Sequence, residues 1–282
     1  MKLSICIESC FAAVDLVARL EAIGRHGLLD FELWDVHAYQ PEMLRHAIVT
    51  ERYHLALFCG NRRYSLIDPS DRRDVMRELR TNLSVAKKLK CPGVTVLSDA
   101  VDDCGIPIPT RASLTRDQKL ASLQDGLVEA VSLAEELGVT LLLEPLNSKI
   151  DHPGMALDQA LEAFETVQSI NSPWLRVLFD VYHMQVMEVD VTKTIESHLD
   201  LIGHLHVADV PGRHEPGTGT IDFASIAQIL SANGFDKYVG LECLPRVNGD
   251  IAVKAFLRAF GPYQEPGAFT IGSRGGCTET TA

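Results

Sequence analysis

The sequence predicts an α/β fold, a single-domain (β/α)8 TIM barrel, and three observations carry that prediction. Eight short apolar runs rich in β-branched residues alternate with amphipathic stretches, the pattern of a parallel sheet wrapped by helices. The chain has 282 residues, 46% of them hydrophobic, enough for one large core, and no Gly/Pro-rich linker interrupts the first 260. Finally, Glu144, Asp180, His206 and Glu242 each close an apolar run, TLLLE, VLFD, HLH and VGLE, at successive intervals of 36, 26 and 36 residues. Those are strand-to-strand intervals in a βα chain, and a barrel of roughly 250 residues carries its functional groups at the C-terminal ends of several strands.

In chain order, strands are expected near residues 2–7, 29–34, 54–59, 94–98, 140–145, 175–181, 202–208 and 238–243. Between them, 70–90 and 114–137 place apolar residues at three- and four-residue intervals, so each reads as an amphipathic helix. Asp68, Ser70 and Asp222 are suited to open helices; Gly138, Gly234 and the Pro92-Gly93 pair are suited to close them. The barrel is expected to span 1–264. Residues 265–282, which end in GAFTIGSRGGCTETTA, form a small, polar C-terminal tail expected to be flexible.

A carboxylate in an apolar strand is costly unless it is paired or binds a cation. Taken alone, each strand-end acid is a helix cap and each histidine a satisfied core group; four in register point to one shared metal. Strand alternation puts Glu144 on the face of Leu142 and Glu242 on the face of Gly240, so both can point into the barrel mouth. His204 and His206 share a face, with His206 nearer the functional end and therefore the better ligand; His204 is expected to fill a lower barrel layer. Three carboxylates and one imidazole suit one divalent ion, Mn2+ or Mg2+ first, with Co2+ or Zn2+ as alternatives. Trp34, His54 and Phe58 are open between walling the pocket and core packing, with core packing the stronger reading for each; Cys6 and Cys10 read as strand-end residues, and His214 and Glu215 are open between a site role and loop surface.

Composition removes other classes. A net charge of −12 disfavours nucleic acid, which calls for a Lys/Arg-rich face. Glu8, Asp15 and Arg19 interrupt the N-terminal apolar stretch, so it is neither a secretory h-region nor a membrane span, and a cytoplasmic location is the default. Seven cysteines without CxxC spacing argue against a disulfide framework or a zinc ribbon. GxGxxG, GxxxxGK[ST] and GxSxG are all absent, which leaves dinucleotide, nucleotide and serine-hydrolase readings without a starting point. The expected partner is a small molecule, with a homo-oligomer left open.

Three stretches, LLLEPLNSKIDHPG, LFDVYHMQ and GHLHVADVPGRHEPGTGTID, closely resemble the hydroxypyruvate isomerase family, within the xylose isomerase-like barrels. The resemblance extends to the CG and SLIDP of residues 59–69 and to YVGLECLPR; the PGRHEPGTG loop is its most discriminating element. It implies a divalent metal on Glu144, Asp180, His206 and Glu242, the two glutamates as acid/base groups, and His183 and Arg213 in contact with substrate. The chain departs from the family at Thr220, where glutamate is usual, and near Lys149 and Ile150, where the second substrate-binding glutamate of ketose epimerases has no counterpart; position 206 is glutamine in some members.

The chemistry itself asks for such a set. Interconverting an α-hydroxy aldehyde and an α-hydroxy ketone removes a proton beside a carbonyl and returns it to the neighbouring carbon, so a carboxylate base and a cation for the enediolate are both needed. Arg213 and Arg246 are candidates for a substrate carboxylate, which a guanidinium grips bidentately. Gly217 and Gly219 are suited to a tight turn near ligand. The leading expectation is a metal-dependent isomerase of a small hydroxy-oxo acid, hydroxypyruvate to tartronate semialdehyde. Alternatives are a sugar or 2-oxo-tetronate isomerase, a ketose 3-epimerase, or a non-catalytic metal-binding subunit.

Overall fold

The computed structural model describes residues 1–264 except Ala112. Its eight strands are β1 (Lys2–Cys6), β2 (Asp30–Leu33), β3 (His54–Phe58), β4 (Gly93–Val96), β5 (Thr140–Leu143), β6 (Leu175–Asp180), β7 (Ile202–Val207) and β8 (Tyr238–Leu241). All pair in parallel, in the order β3-β2-β1-β8-β7-β6-β5-β4. The seam between β3 and β4 is closed just past β3, by a bridge between Cys59 and Thr95 of β4 and by the Gly60 N–H donating to the Thr95 carbonyl at 2.7 Å. The chain is therefore the predicted single barrel. The strand windows read from sequence mostly overrun by one or two residues downstream, because the chain leaves the sheet where the functional side chains begin.

The helices follow from their ends. Asp68 caps a short 3-10 turn, Pro69–Asp71, by accepting from the Ser70 N–H, and the long helix then runs Arg72–Leu89. Ser70 thus lies inside the turn and opens nothing itself. The helix closes at Lys90, in the left-handed conformation (φ 57°), two residues before the expected Pro92-Gly93; Gly93 is instead the first residue of β4. Thr115 and Gln118 form a capping box on Arg116–Leu137, which ends at Gly138 (φ 71°). Asp222 caps Phe223–Ala232 through Ser225, and Gly234 takes up a left-handed turn just beyond that helix.

Three apolar regions result among the described residues. The largest fills the space between sheet and helices, a small one, Leu57, Leu142 and Leu178, plugs the barrel interior, and another, Leu97, Val101, Leu146 and Met155, lies at the mouth. Phe58 belongs to the first, as expected. His54 does not: it is exposed at the start of β3, 3.6 Å from Asp30. Cys10 lies in a four-residue helix after β1, its sulfur 3.8 Å from that of Cys243. Among the described residues no helix is long and apolar enough to cross a membrane. The expectation for residues 265–282 lies outside the described residues.

Candidate active site

The C-terminal mouth of the barrel brings together four side chains that are distant in sequence. Asp180 is the last residue of β6, His206 is in β7, and Glu144 and Glu242 stand one residue past β5 and β8. All four are buried, and one ligand atom from each lies within 4.8 Å of the others. His206 Nδ1 is 3.3 Å from Glu242 Oε2 and 3.7 Å from Glu144 Oε1. Asp180 spends one oxygen as a cap, Oδ1 accepting from the His183 N–H at 3.1 Å, and turns Oδ2 into the cluster.

Three buried polar atoms at this mouth face charged neighbours but make no well-formed hydrogen bond among the described residues: Asp180 Oδ2, His206 Nδ1 and His183 Nε2. A buried group is normally hydrogen-bonded, so convergent orphans call for a ligand. Two of the three belong to the four-residue cluster. Three carboxylate oxygens and one imidazole nitrogen are the donor set of a divalent cation, and the residues present fit one.

Charge distribution agrees with that fit. Burial pushes the Asp180 carboxyl up to about 7, with Glu242 adding to the push against the pull of Arg213. Burial works against ionised Glu242 too, but Arg213 and His206 outweigh it and hold that carboxyl well below the usual range. Burial would lower His206; the carboxylates of Glu32 and Glu242 reverse this and hold the imidazole well above its ordinary value. Here Arg213 and the protonated imidazole of His206 offset the clustered carboxylates, a role that a cation bound among them would share.

The remaining predicted residues separate. His183 is fully buried, and its tautomer follows from its neighbour. Asn147 uses Oδ1 to accept from the Ile150 and Asp151 N–H groups, both at 3.0 Å, so its amide nitrogen donates, to Asp151 Oδ2 and to His183 Nδ1, each at 2.6 Å. Burial, reinforced by Arg213, holds His183 well below its ordinary value and therefore neutral. Its proton is then on Nε2, the orphan atom, 3.7 Å from Asp180 Oδ2 and free to donate to a ligand oxygen. Arg213 reaches in from the loop after β7: Nη2 lies 2.5 Å from Glu242 Oε2 and 3.8 Å from Asp180 Oδ2, with the guanidinium over the Tyr182 ring. Arg246 is exposed and does not line the cavity; its backbone N–H donates to Glu215. Glu215 is buried, so loop surface is the wrong description for it.

Sequence reasoning assigned Trp34 to the core, but it lines the mouth and its Nε1–H donates to Glu242 Oε1 at 2.5 Å. It left Asn147, Asp209 and Glu32 without roles. Asp209, fully buried, accepts four backbone N–H groups of the loop: Val210 and Ile221 on one oxygen, Gly217 and Gly219 on the other, at 2.8–3.1 Å. Gly217 has a φ of 89°, and a Cβ on Gly219 would stand 2.0 Å from the Val210 carbonyl oxygen, so both glycines serve the turn itself. Glu32 lies below the cluster and accepts from His206 Nε2.

Above the four side chains is a cavity of about 190 Å3, lined among others by Trp34, Arg62, Leu97, His183 and Arg213, with the His152 ring 5.2 Å from that of His183. Drug-sized pockets start at about 300 Å3, so this one suits a molecule of a few carbons.

Known proteins share this architecture. Escherichia coli hydroxypyruvate isomerase is 26% identical over 94% of this chain and 100% of the relative. A putative hydroxypyruvate isomerase of Mus musculus is 30% identical over 82% of this chain and 84% of its own. A solved structure described as an AP endonuclease, family 2, from Brucella melitensis superposes with a TM-score of 0.78 at 24% identity, covering 94% of this chain and 99% of that one, a likeness of fold. Residues 14–260 match the family model described as xylose isomerase-like TIM barrel, and the chain belongs to that family.

Proposed function

We propose that this isomerase interconverts the aldehyde and ketone forms of a small 2-hydroxy-oxo acid, hydroxypyruvate and tartronate semialdehyde being the first pair to test. The observation that carries the reading is the convergence of two glutamates, an aspartate and a histidine on orphaned buried atoms at the floor of a small cavity. Glu144, Asp180, His206 and Glu242 would hold a divalent cation. Bound there, it supplies the Lewis acidity that polarises the substrate carbonyl and offsets the enediolate charge.

The protein's own groups divide the proton work. Glu242 is pinned by Trp34 and Arg213 at 2.5 Å each, which favours its anion and suits it to anchoring. Glu144 approaches His206 at 3.7 Å and is the less constrained of the two, so its carboxylate takes the proton from the hydroxylated carbon and returns it to the neighbour, while the hydroxyl proton passes to the former carbonyl oxygen. His183 Nε2–H donates to a substrate oxygen, and Arg213, already beside the reacting groups, orients the acid end. Escherichia coli hydroxypyruvate isomerase, related along its whole length, supports the substrate class.

The test is solvent exchange. Mn2+-loaded enzyme and hydroxypyruvate in deuterated water, followed by NMR, should show deuterium entering at the substrate carbon. Glu144→Gln should lose that exchange by about 10²- to 10⁴-fold while keeping metal, and Glu242→Gln should lose less. Wild-type exchange in both variants would refute the glutamate mechanism and send the search for the base to His183. Exchange with neutral ketoses and none with hydroxypyruvate would move the reading to a sugar isomerase or 3-epimerase.

A further inference from the structure

One layer below the four clustered side chains, a carboxylate is enclosed by protein. Glu32, on β2, is 1% exposed, and three side-chain donors from other strands close on it. Ser4 Oγ on β1 donates to Oε1 at 2.5 Å, His204 Nε2 on β7 meets the same oxygen at 2.9 Å, and His206 Nε2 meets Oε2 at 2.7 Å. The strand that crosses above it makes room: a Cβ on Gly240 of β8 would stand 2.3 Å from Glu32 Oε1. Ionised carboxylate oxygens only accept, so His204 and His206 each present Nε2–H to Glu32. For His206 this leaves Nδ1, the atom that faces Glu144 and Glu242, as the position where a metal would replace a proton.

Glu32, His204 and His206 also lie near enough together to be weighed as a second cation site. The distances decide against it. Separations of 2.7 and 2.9 Å are direct hydrogen bonds, whereas two ligands each about 2 Å from a metal, spread around an open coordination sphere, stand farther apart.

We propose that Glu32 is a positioning residue: from outside the ligand set it fixes the tautomer and ring orientation of His206, so that Nδ1 is presented to the metal. This rests on the metal-site reading above. Groups that orient a ligating imidazole are worth about 10- to 100-fold in metal affinity. Glutamine at 32 keeps the shape but cannot accept from both imidazoles, because one of its two terminal atoms becomes a donor.

The experiment is Mn2+ binding to the full chain, read from the free-ion EPR signal, for wild type, Glu32→Gln and Tyr238→Phe. The last removes a hydrogen bond to Asp30 at the base of the same barrel and leaves Glu32 untouched. Folded Glu32→Gln should bind Mn2+ about 10- to 100-fold more weakly, with Tyr238→Phe unchanged. Wild-type affinity in Glu32→Gln overturns the proposal, and so does an equal loss in both variants, which would mark general loosening. If Glu32→Gln does not fold, 15N NMR of the Zn2+-loaded wild type decides: the His206 proton on Nε2 with metal at Nδ1 is the expected result, and the reverse overturns it. Failure of the wild type to bind any divalent ion refutes the metal-site reading and this inference with it; binding by wild type with no Glu32 effect refutes this inference alone.

Discussion

Asp209→Asn replaces one carboxylate oxygen by an amide NH2 at a point where four backbone donors converge. In one amide orientation the new donor faces the N–H groups of Gly217 and Gly219; in the other it faces those of Val210 and Ile221. Either way two donors lose their acceptor. A buried donor left unsatisfied costs about 1–3 kcal/mol, so full burial would give about 2–6 kcal/mol. Gly217 and Gly219 are themselves exposed and water can reach them, which favours the first orientation and the lower end, about 2 kcal/mol. At about 1.4 kcal/mol per factor of ten, that is roughly a 30-fold rise in loop opening. Amide hydrogen exchange resolved at residues 217–221 is the assay. Arg213 rides on this loop, so the same variant should bind acidic substrates more weakly. Wild-type exchange rates at Gly217 and Gly219 would refute the claim that Asp209 holds the loop.

His206→Ala should leave purified protein unable to hold stoichiometric Mn2+, because three clustered carboxylates lose their neutral ligand; full occupancy by metal analysis would remove His206 from the set. Gly240→Ala drives a methyl group onto Glu32 and should cost about 1–3 kcal/mol. At about 2 °C per kcal/mol for a chain of this size, calorimetry should find Tm lower by about 2–6 °C, and an unchanged Tm would mean the layer is loosely packed. Arg213→Lys keeps the charge but loses the fork, so KM should rise more for hydroxy-oxo acids than for neutral ketoses; equal losses would assign Arg213 to loop structure.

The barrel and the four clustered side chains were legible because both write a local signal. Alternation of apolar runs and amphipathic stretches marks the strands, and a charge closing an apolar run marks a strand end at the functional face. Glu32 breaks the same rule, being a carboxylate inside DFEL, but it sits within its strand, where a charge does not mark a strand end. Its partner His206 is 174 positions away, and no spacing announces such a pair. Trp34 was misassigned for a related reason. A tryptophan after a strand reads as apolar bulk, and only the fold shows its N–H aimed at Glu242. Asp209 and Asn147 act through backbone and tautomer geometry, which leaves no periodic trace.

The seam between β3 and β4, where no ladder joins the two strands, divides the labour of the molecule. The clustered acids and His206 come from β5 to β8, which run as an unbroken ladder of paired strands. The opposite wall of the cavity comes from the two sides of the seam: Cys59 and Arg62 after β3, Leu97, Val101 and Asp103 after β4. Those segments are joined to each other outside the ladder, by Asn61 with both backbone groups of Leu97 and by the Val101 N–H donating to the Arg62 carbonyl. Reshaping them alters what the cavity admits without disturbing the register of the strands that supply the clustered acids and His206. Such an architecture can change its diet while keeping its chemistry, and a library aimed at new substrates belongs in residues 59–62 and 97–105.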